Sequence, residues 1–121
     1  MTDELFVYGT LLPGQVRWIH LQPFVDGEGA VDTIGGTLFD TGVGYPAFVG
    51  AGDGRVHGMR FRLAPDTKKE ALEVLDAIEG AVAGLYRRIT VTTGDGVEVF
   101  VYEYGRGLDL EPIPGGNWLS R

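Results

Sequence analysis

The sequence predicts a small α/β (α+β) domain in which mixed strands curl into a barrel-like sheet, with one main helix packed against it. Two observations carry this prediction. The 20 glycines of the 121-residue chain are interleaved with Val, Ile, Phe and Tyr, a pattern typical of short strands joined by tight turns. One segment, residues 66–79, has the apolar spacing of a helix. The length suits one domain, and we expect it to span residues 1–121.

The first half of the chain is predicted to consist mainly of strands. Residues 4–8, "ELFVY", are strong β formers, and residues 9–14 follow as a loop. Residues 15–22 have the apolar positions of a short helix. Residues 24–49 read as strands interrupted by glycine, and residues 55–63 as a further strand with a bulge at its glycine.

The second half is predicted to hold the main helix and a hairpin. Asp66 or Thr67 is a suitable N-cap for the helix, and Gly80 a suitable C-cap. Residues 87–93 and 97–104 read as two strands joined by a "GDG" turn. The tail after Tyr104 is irregular.

Composition excludes several classes of catalysis. The chain has no cysteine, and its single serine, Ser120, lies next to the C-terminus. The two lysines form one pair, and His20 and His57 have no companions at metal-ligand spacing. We therefore expect no enzyme nucleophile, metal or cofactor, so that carboxylates, tyrosines and backbone amides must perform any catalysis.

The charge and hydropathy patterns limit the partners. The formal net charge is −7, which disfavours a phosphate backbone, so we expect no nucleic acid partner. The sequence contains no apolar run of about 18 residues, so we expect no membrane span. The N-terminus is acidic where a signal peptide is basic, and we expect a cytoplasmic protein. The sequence does not indicate an oligomeric state.

One helical acid is placed differently from the others. By helical geometry, Glu79 lies about 60° from the centre of the apolar stripe, while Glu73 points away from it. Burial and the helix C-terminus would both raise the pKa of Glu79, as a general base near neutral pH requires. Alternatively, Glu79 reaches water or pairs with Arg87 or Arg88, which is the commoner arrangement.

The first predicted strand ends in a glycine turn, "YGTLLPG". A glycine there lets a ligand approach the backbone closely, and successive N–H groups can bind an anion. The segment lacks the P-loop and dinucleotide-binding patterns. An ordinary strand-to-loop turn explains the same residues.

Together these motifs resemble the γ-glutamylcyclotransferase superfamily, in particular the compact γ-glutamylamine cyclotransferase-like proteins. The resemblance spans residues 5–104 and rests on five segments in order: "YGTL" at 8–11, "GYPA" at 44–47, the glycine of "VHGMRF" at 58, "LDAIEG" at 75–80 and "YRR" at 86–88. It implies a mixed barrel flanked by helices, with the loop and the glutamate facing one cavity.

The resemblance also implies roles for particular residues. Glu79 would be the general base and acid, and the backbone of Tyr8, Gly9, Thr10 and Leu11 would hold a γ-glutamyl group. Tyr86 would shape the pocket, and Tyr45 and Pro46 would line it. Tyr102 and Tyr104 are candidate wall residues, although alternate core packing explains them equally well. The short tail leaves open whether Trp118 closes the cavity.

The implied reaction needs no enzyme nucleophile, because the substrate's own α-amine attacks its γ-carbonyl and forms 5-oxoproline. The partner would then be a small γ-glutamyl compound whose leaving amine the sequence does not identify. Two alternatives stay open: a non-catalytic module that binds a small carboxylate on the same fold, and a purely structural barrel whose glycines serve curvature.

Overall fold

The structure is a computed structural model that describes residues 2–83, 86–104 and 110–121. The strands are β1 (Glu4–Val7), β2 (Ala30–Gly35), β3 (Thr37–Asp40), β4 (Pro46–Val49), β5 (Arg55–Arg62), β6 (Tyr86–Thr92), β7 (Glu98–Tyr104) and β8 (Glu111–Pro112). The α-helices are α1 (Trp18–Leu21) and α2 (Lys68–Ala83), and short 3-10 helices cover Gln22–Phe24 and Trp118–Ser120. None of the described helices is long and apolar enough to cross a membrane.

The mixed α+β class is confirmed, but the strands form two sheets and do not close into one barrel. The larger sheet has the order β2-β5-β1-β7-β6, and the smaller one the order β4-β3-β8. The chain passes from the larger sheet to the smaller at Gly36, between β2 and β3. Gly36 has a φ of 140°, which an L side chain rarely adopts, so this glycine permits the change of sheet.

The central strand β1 delivers the glycine turn from the middle of the core. It pairs antiparallel with β5 and parallel with β7. Alternate side chains enter two apolar clusters: Leu5 and Val7 pack with α2 on one face, and Phe6 and Tyr8 pack with the smaller sheet on the other. Since both faces of β1 are covered, its end is held firmly in place.

The main helix is longer than the sequence predicts. Helix α2 begins at Lys68, directly after the expected N-cap region, and the carbonyl of Thr67 accepts the N–H of Ala71 at 2.8 Å. It runs to Ala83, so the prediction of Gly80 as a C-cap is wrong and Gly80 lies inside the helix. The buried stripe includes Ala71 and Leu75, whose packing outweighs the low helix propensity of glycine.

The other elements follow the predicted order with three corrections, the first being that the tail expected to be irregular contains β8 and a 3-10 helix. The helix expected over residues 15–22 is only the four-residue α1 followed by a 3-10 turn. The glycine of β5, Gly58, is not a bulge, because the pairing of β5 with β2 passes it without an offset. A Cβ there would overlap Val7 O and stand 2.8 Å from Phe6 Cζ, so the residue is glycine because β1 crosses closely.

Candidate active site

A cavity of about 30 Å³ lies at the end of β1, between the glycine turn and helix α2. It opens to solvent beside the lining residues that keep some exposure, among them Arg17, Tyr45 and Tyr86. All eight residues that the sequence singled out line this one cavity: Tyr8, Gly9, Thr10, Leu11, Tyr45, Pro46, Glu79 and Tyr86.

Gly9 is required at the turn because Pro46 packs directly against its backbone. A Cβ on Gly9 would stand 2.7 Å from Pro46 Cδ and closer still to Cγ. The pyrrolidine ring cannot swing away as a flexible side chain can. The glycine therefore lets the first residue of β4 reach the end of β1, and the turn and Pro46 form adjacent walls of the cavity.

The turn leaves backbone donors beside the cavity. The carbonyl of Gly9 accepts the N–H of Leu12 at 3.0 Å, and the carbonyl of Thr10 accepts the N–H of Arg17 at 2.8 Å. Within the described part of the chain, the N–H groups of Thr10 and Leu11 donate to no other group. Such unpaired amides can hold the oxygen atoms of an anion or of a polarised carbonyl.

Glu79 faces the cavity from α2 and is only 7% exposed. Its carboxylate accepts no hydrogen bond from the residues that the structure describes, and its charged neighbour is Arg17, with Nη1 3.9 Å from Oε2. Burial raises the pKa of Glu79 to about 7, an effect that the charge of Arg17 opposes. Since α2 continues to Ala83, Glu79 does not lie in the last turn, and burial rather than the helix end raises its pKa.

The nearby arginines do not neutralise Glu79. Arg88 donates to both carboxylate oxygens of Asp76, at 2.8 and 3.1 Å. Arg87 donates twice to Glu103, at 3.1 and 2.8 Å. The alternative in which Glu79 pairs with one of these two arginines is therefore wrong, and this carboxylate stays in the cavity with a raised pKa.

Arg17 is a charged lining residue of the cavity that the sequence motifs did not single out. Its guanidinium carbon lies 5.8 Å from the centre of the Tyr45 ring, and its main chain is tied to Thr10. A signal for it existed: Arg17 is the only lysine or arginine in the first 54 residues, and it follows the glycine turn within one short loop.

Tyrosines hold the walls in position. Tyr86 O–H donates to the carbonyl of Pro46 at 2.6 Å, which joins β6 to β4, and its ring meets Tyr45 edge to face. Tyr8 O–H donates to the carbonyl of Tyr102 at 2.6 Å, which joins β1 to β7. Burial raises the pKa of both Tyr8 and Tyr86, so both hydroxyls stay neutral donors.

Three further candidates have different outcomes. Tyr102 lines the cavity, and its hydroxyl donates to Asp76 Oδ1 at 2.7 Å. Tyr104 packs on Tyr86, with ring centres 5.6 Å apart, behind the lining residues. Trp118 is buried in the apolar cluster under the smaller sheet and does not line the cavity.

The family follows from a comparison with family models. Residues 5–120 match the model described as "Gamma-glutamyl cyclotransferase, AIG2-like". The chain belongs to this family. The match covers the turn, the β4 segment, Glu79 and Tyr86, so all eight predicted site residues of this cyclotransferase-family chain lie inside it. No curated protein sequence matches significantly.

Solved structures share the fold. Uncharacterized protein PH0828 from Pyrococcus horikoshii is 24% identical with a TM-score of 0.77, and the alignment covers 98% of this chain and 92% of that one. The protein c4763 from uropathogenic E. coli is 20% identical, with a TM-score of 0.75 and coverage of 99% and 94%. An AIG2-like protein from Mus musculus is 22% identical, with a TM-score of 0.67 and coverage of 84% and 76%.

Proposed function

We propose that this protein releases 5-oxoproline and a free amine from a small γ-glutamyl compound by intramolecular cyclisation. The observation that carries the proposal is the position of Glu79, a buried carboxylate with a raised pKa that faces the glycine turn across one cavity. Membership of the cyclotransferase family supports the reaction class. Neither identifies the leaving amine.

The reaction transfers one proton and exchanges one bond. The α-amine nitrogen attacks the γ-carbonyl carbon, a new C–N bond closes the five-membered ring, and the carbonyl π electrons move onto oxygen. Glu79 accepts the proton that the amine loses. The tetrahedral intermediate then collapses, the bond to the leaving nitrogen breaks, and Glu79 gives that nitrogen the proton. Water is neither consumed nor released.

The pKa of Glu79 suits both halves of this cycle. A carboxyl group with a pKa near 7 is available as a base and as an acid at neutral pH, and such catalysis typically contributes about 10²- to 10⁴-fold to the rate. Holding the amine against the carbonyl contributes further, because orientation replaces an encounter with a unimolecular step. A chain without cysteine, and with one serine beside its C-terminus, suits a reaction whose nucleophile belongs to the substrate.

The remaining lining residues have supporting roles in this proposal. The N–H groups of Thr10 and Leu11 would bind the α-carboxylate or the developing oxyanion, since they have no other acceptor among the described residues. Tyr86 would hold the Pro46 wall through its 2.6 Å hydrogen bond. The cavity of about 30 Å³ has room for about one water molecule, so substrate entry requires the cavity to widen on its solvent-exposed side.

The test is a 5-oxoproline release assay on a panel of γ-glutamyl amides and dipeptides with three purified proteins. Glu79→Gln keeps the shape of the side chain and removes the base, so we expect kcat to fall about 10²- to 10⁴-fold. Glu73→Gln, an exposed acid on the same helix, is the matched control and should keep full activity. Equal rates for the Glu79 variant and the wild type would contradict the mechanism.

A non-catalytic carboxylate-binding module gives a different result in the same experiment. The wild-type protein would then gain thermal stability from 5-oxoproline and release none from any member of the panel. That combination would contradict the proposed reaction and support the binding module.

A further inference from the structure

We infer that Arg17 binds the α-carboxylate of the substrate and so makes the site specific for compounds with an intact α-amino acid group. This inference rests on the proposed function for its substrate, and it assigns to Arg17 a role that the family match does not give. The unpaired amides of Thr10 and Leu11 are then left for the oxyanion at the γ-carbon.

The guanidinium of Arg17 lacks a full hydrogen-bond partner. Arg17 is 23% exposed in its side chain, and its shortest charge contact, 3.9 Å to Glu79 Oε2, is too long for a hydrogen bond. Among the described residues its guanidinium donates no hydrogen bond. A largely buried guanidinium whose N–H donors are unpaired is costly, and a carboxylate can satisfy it through two parallel hydrogen bonds.

Arg17 lies beside Glu79, the proposed base. The α-amine and the α-carboxylate of a γ-glutamyl compound are attached to the same carbon atom. A site for that group therefore needs an anionic acceptor and a cationic donor side by side, both open to one cavity. Glu79 and Arg17 provide this pair, at a separation that leaves both side chains free to bind a ligand.

Arg17 is held in place by contacts that use none of its side-chain hydrogen-bond donors. Its backbone N–H is bound to Thr10 O at 2.8 Å, and its guanidinium lies over the Tyr45 ring at 5.8 Å. A cation–π contact fixes the position of the guanidinium but uses none of its hydrogen-bond donors. Other arginines at the surface are different: Arg87 and Arg88 each donate two hydrogen bonds to one carboxylate.

The experiment compares substrates that differ only in the carboxylate. γ-Glutamyl methylamide has the α-carboxylate, 4-aminobutanoyl methylamide lacks it and closes to 2-pyrrolidinone, and γ-glutamylglycine adds a carboxylate to the leaving group. For Arg17→Gln we expect KM for γ-glutamyl methylamide to rise roughly 10- to 150-fold, the range for losing a hydrogen bond to a charged group. With both substrates measured at a pH above the Glu79 limb, KM for the 4-aminobutanoyl compound should show little change, and Arg17→Lys should recover only part of the loss.

Arg62→Gln is the matched control. Arg62 is exposed and lies 3.9 Å from Asp26, the same distance as in the cavity pair, but it does not line the cavity. If Arg17→Gln raises KM equally for both methylamide substrates, Arg17 has a structural role and the inference is wrong. A loss confined to γ-glutamylglycine would assign Arg17 to the leaving group and would also overturn it.

A binding measurement separates this inference from the proposed function. The wild-type protein should bind 5-oxoproline more tightly than 2-pyrrolidinone, as measured by NMR titration, and Arg17→Gln should remove the difference. A wild-type protein that shows this preference but releases no 5-oxoproline leaves the inference standing and refutes the reaction. A wild-type protein without the preference refutes the inference even if it is active.

Discussion

Replacing Glu79 with glutamine should change how the stability of the protein depends on pH. Burial raises the pKa of Glu79 from the ordinary value of 4.5 to about 7, so the folded protein holds this proton over a pH range in which the unfolded chain has lost it. Between pH 4.5 and 7 the folded state binds more protons than the unfolded state, and stability therefore falls as the pH rises. Above pH 7 this loss of stability is complete.

The size of the effect follows from the pKa difference. About 2.5 pH units at 1.36 kcal/mol each give about 3 kcal/mol, an upper figure because the partly open cavity lets water reach the carboxylate. Glutamine resembles the protonated form at every pH and does not titrate. The stability of Glu79→Gln relative to the wild type should therefore rise by up to about 3 kcal/mol between pH 4.5 and pH 8. For a chain of this length, that corresponds to roughly 12 °C in Tm.

The assay is urea unfolding followed by circular dichroism at half-unit pH intervals, with Glu73→Gln as control. The other carboxylates titrate alike in the variant and the wild type, so their contributions cancel in the difference. Any constant offset from the amide also leaves the slope unchanged. If the difference in unfolding free energy between Glu79→Gln and the wild type stays constant from pH 4.5 to pH 8, burial does not raise the pKa of Glu79. Glu79 would then lack the pKa that the proposed catalysis requires.

Three further predictions concern the same cavity. For the wild type, kcat/KM for γ-glutamyl methylamide should rise with pH through a limb near 7, and Arg17→Gln should move this limb upward because it removes the charge that lowers the pKa of Glu79. Gly9→Ala should destabilise the fold by about 1–3 kcal/mol in urea unfolding, because its Cβ overlaps Pro46; an unchanged stability would contradict this packing. Tyr86→Phe should lower the free energy of unfolding by about 1 kcal/mol in the same measurement, because it removes the hydrogen bond to the Pro46 carbonyl. An unchanged midpoint of unfolding would show that this hydrogen bond does not stabilise the fold.

The sequence predicted the positions of the candidate site residues better than it predicted how the strands pair. The inward position of Glu79 follows from helical geometry, and its 7% exposure agrees with that expectation. The turn at Gly9 follows from the abrupt end of an apolar run. Barrel closure, by contrast, depends on which strands pair, and Gly36 sends the chain into a second sheet at a point that alternating hydrophobicity does not reveal.

Arg17 and Gly80 show where local signals are insufficient. The sequence shows Arg17 as an isolated cation after the glycine turn but does not place its guanidinium at the cavity, because that position depends on the bond of its N–H to Thr10 and on a ring 28 positions away. Gly80 is a residue type that commonly ends a helix, yet α2 continues beyond it because the apolar stripe of the helix packs in the core. In both cases tertiary contacts, formed between distant parts of the chain, override what neighbouring residues suggest.

The separation of Arg17 and Glu79 reconciles burial with catalysis. A hydrogen-bonded pair would lower the pKa of Glu79 toward the acidic range and leave it a weak base, as the doubly bonded Asp76 illustrates with its lowered pKa. Without any cation nearby, burial would raise the pKa of Glu79 beyond neutrality and leave too little carboxylate. At 3.9 Å the cation only partly offsets burial, which keeps the pKa near 7 while the N–H donors stay free. One arginine at one distance therefore lowers the pKa of the base and leaves its own donors free for the carboxylate next to the amine that the base deprotonates.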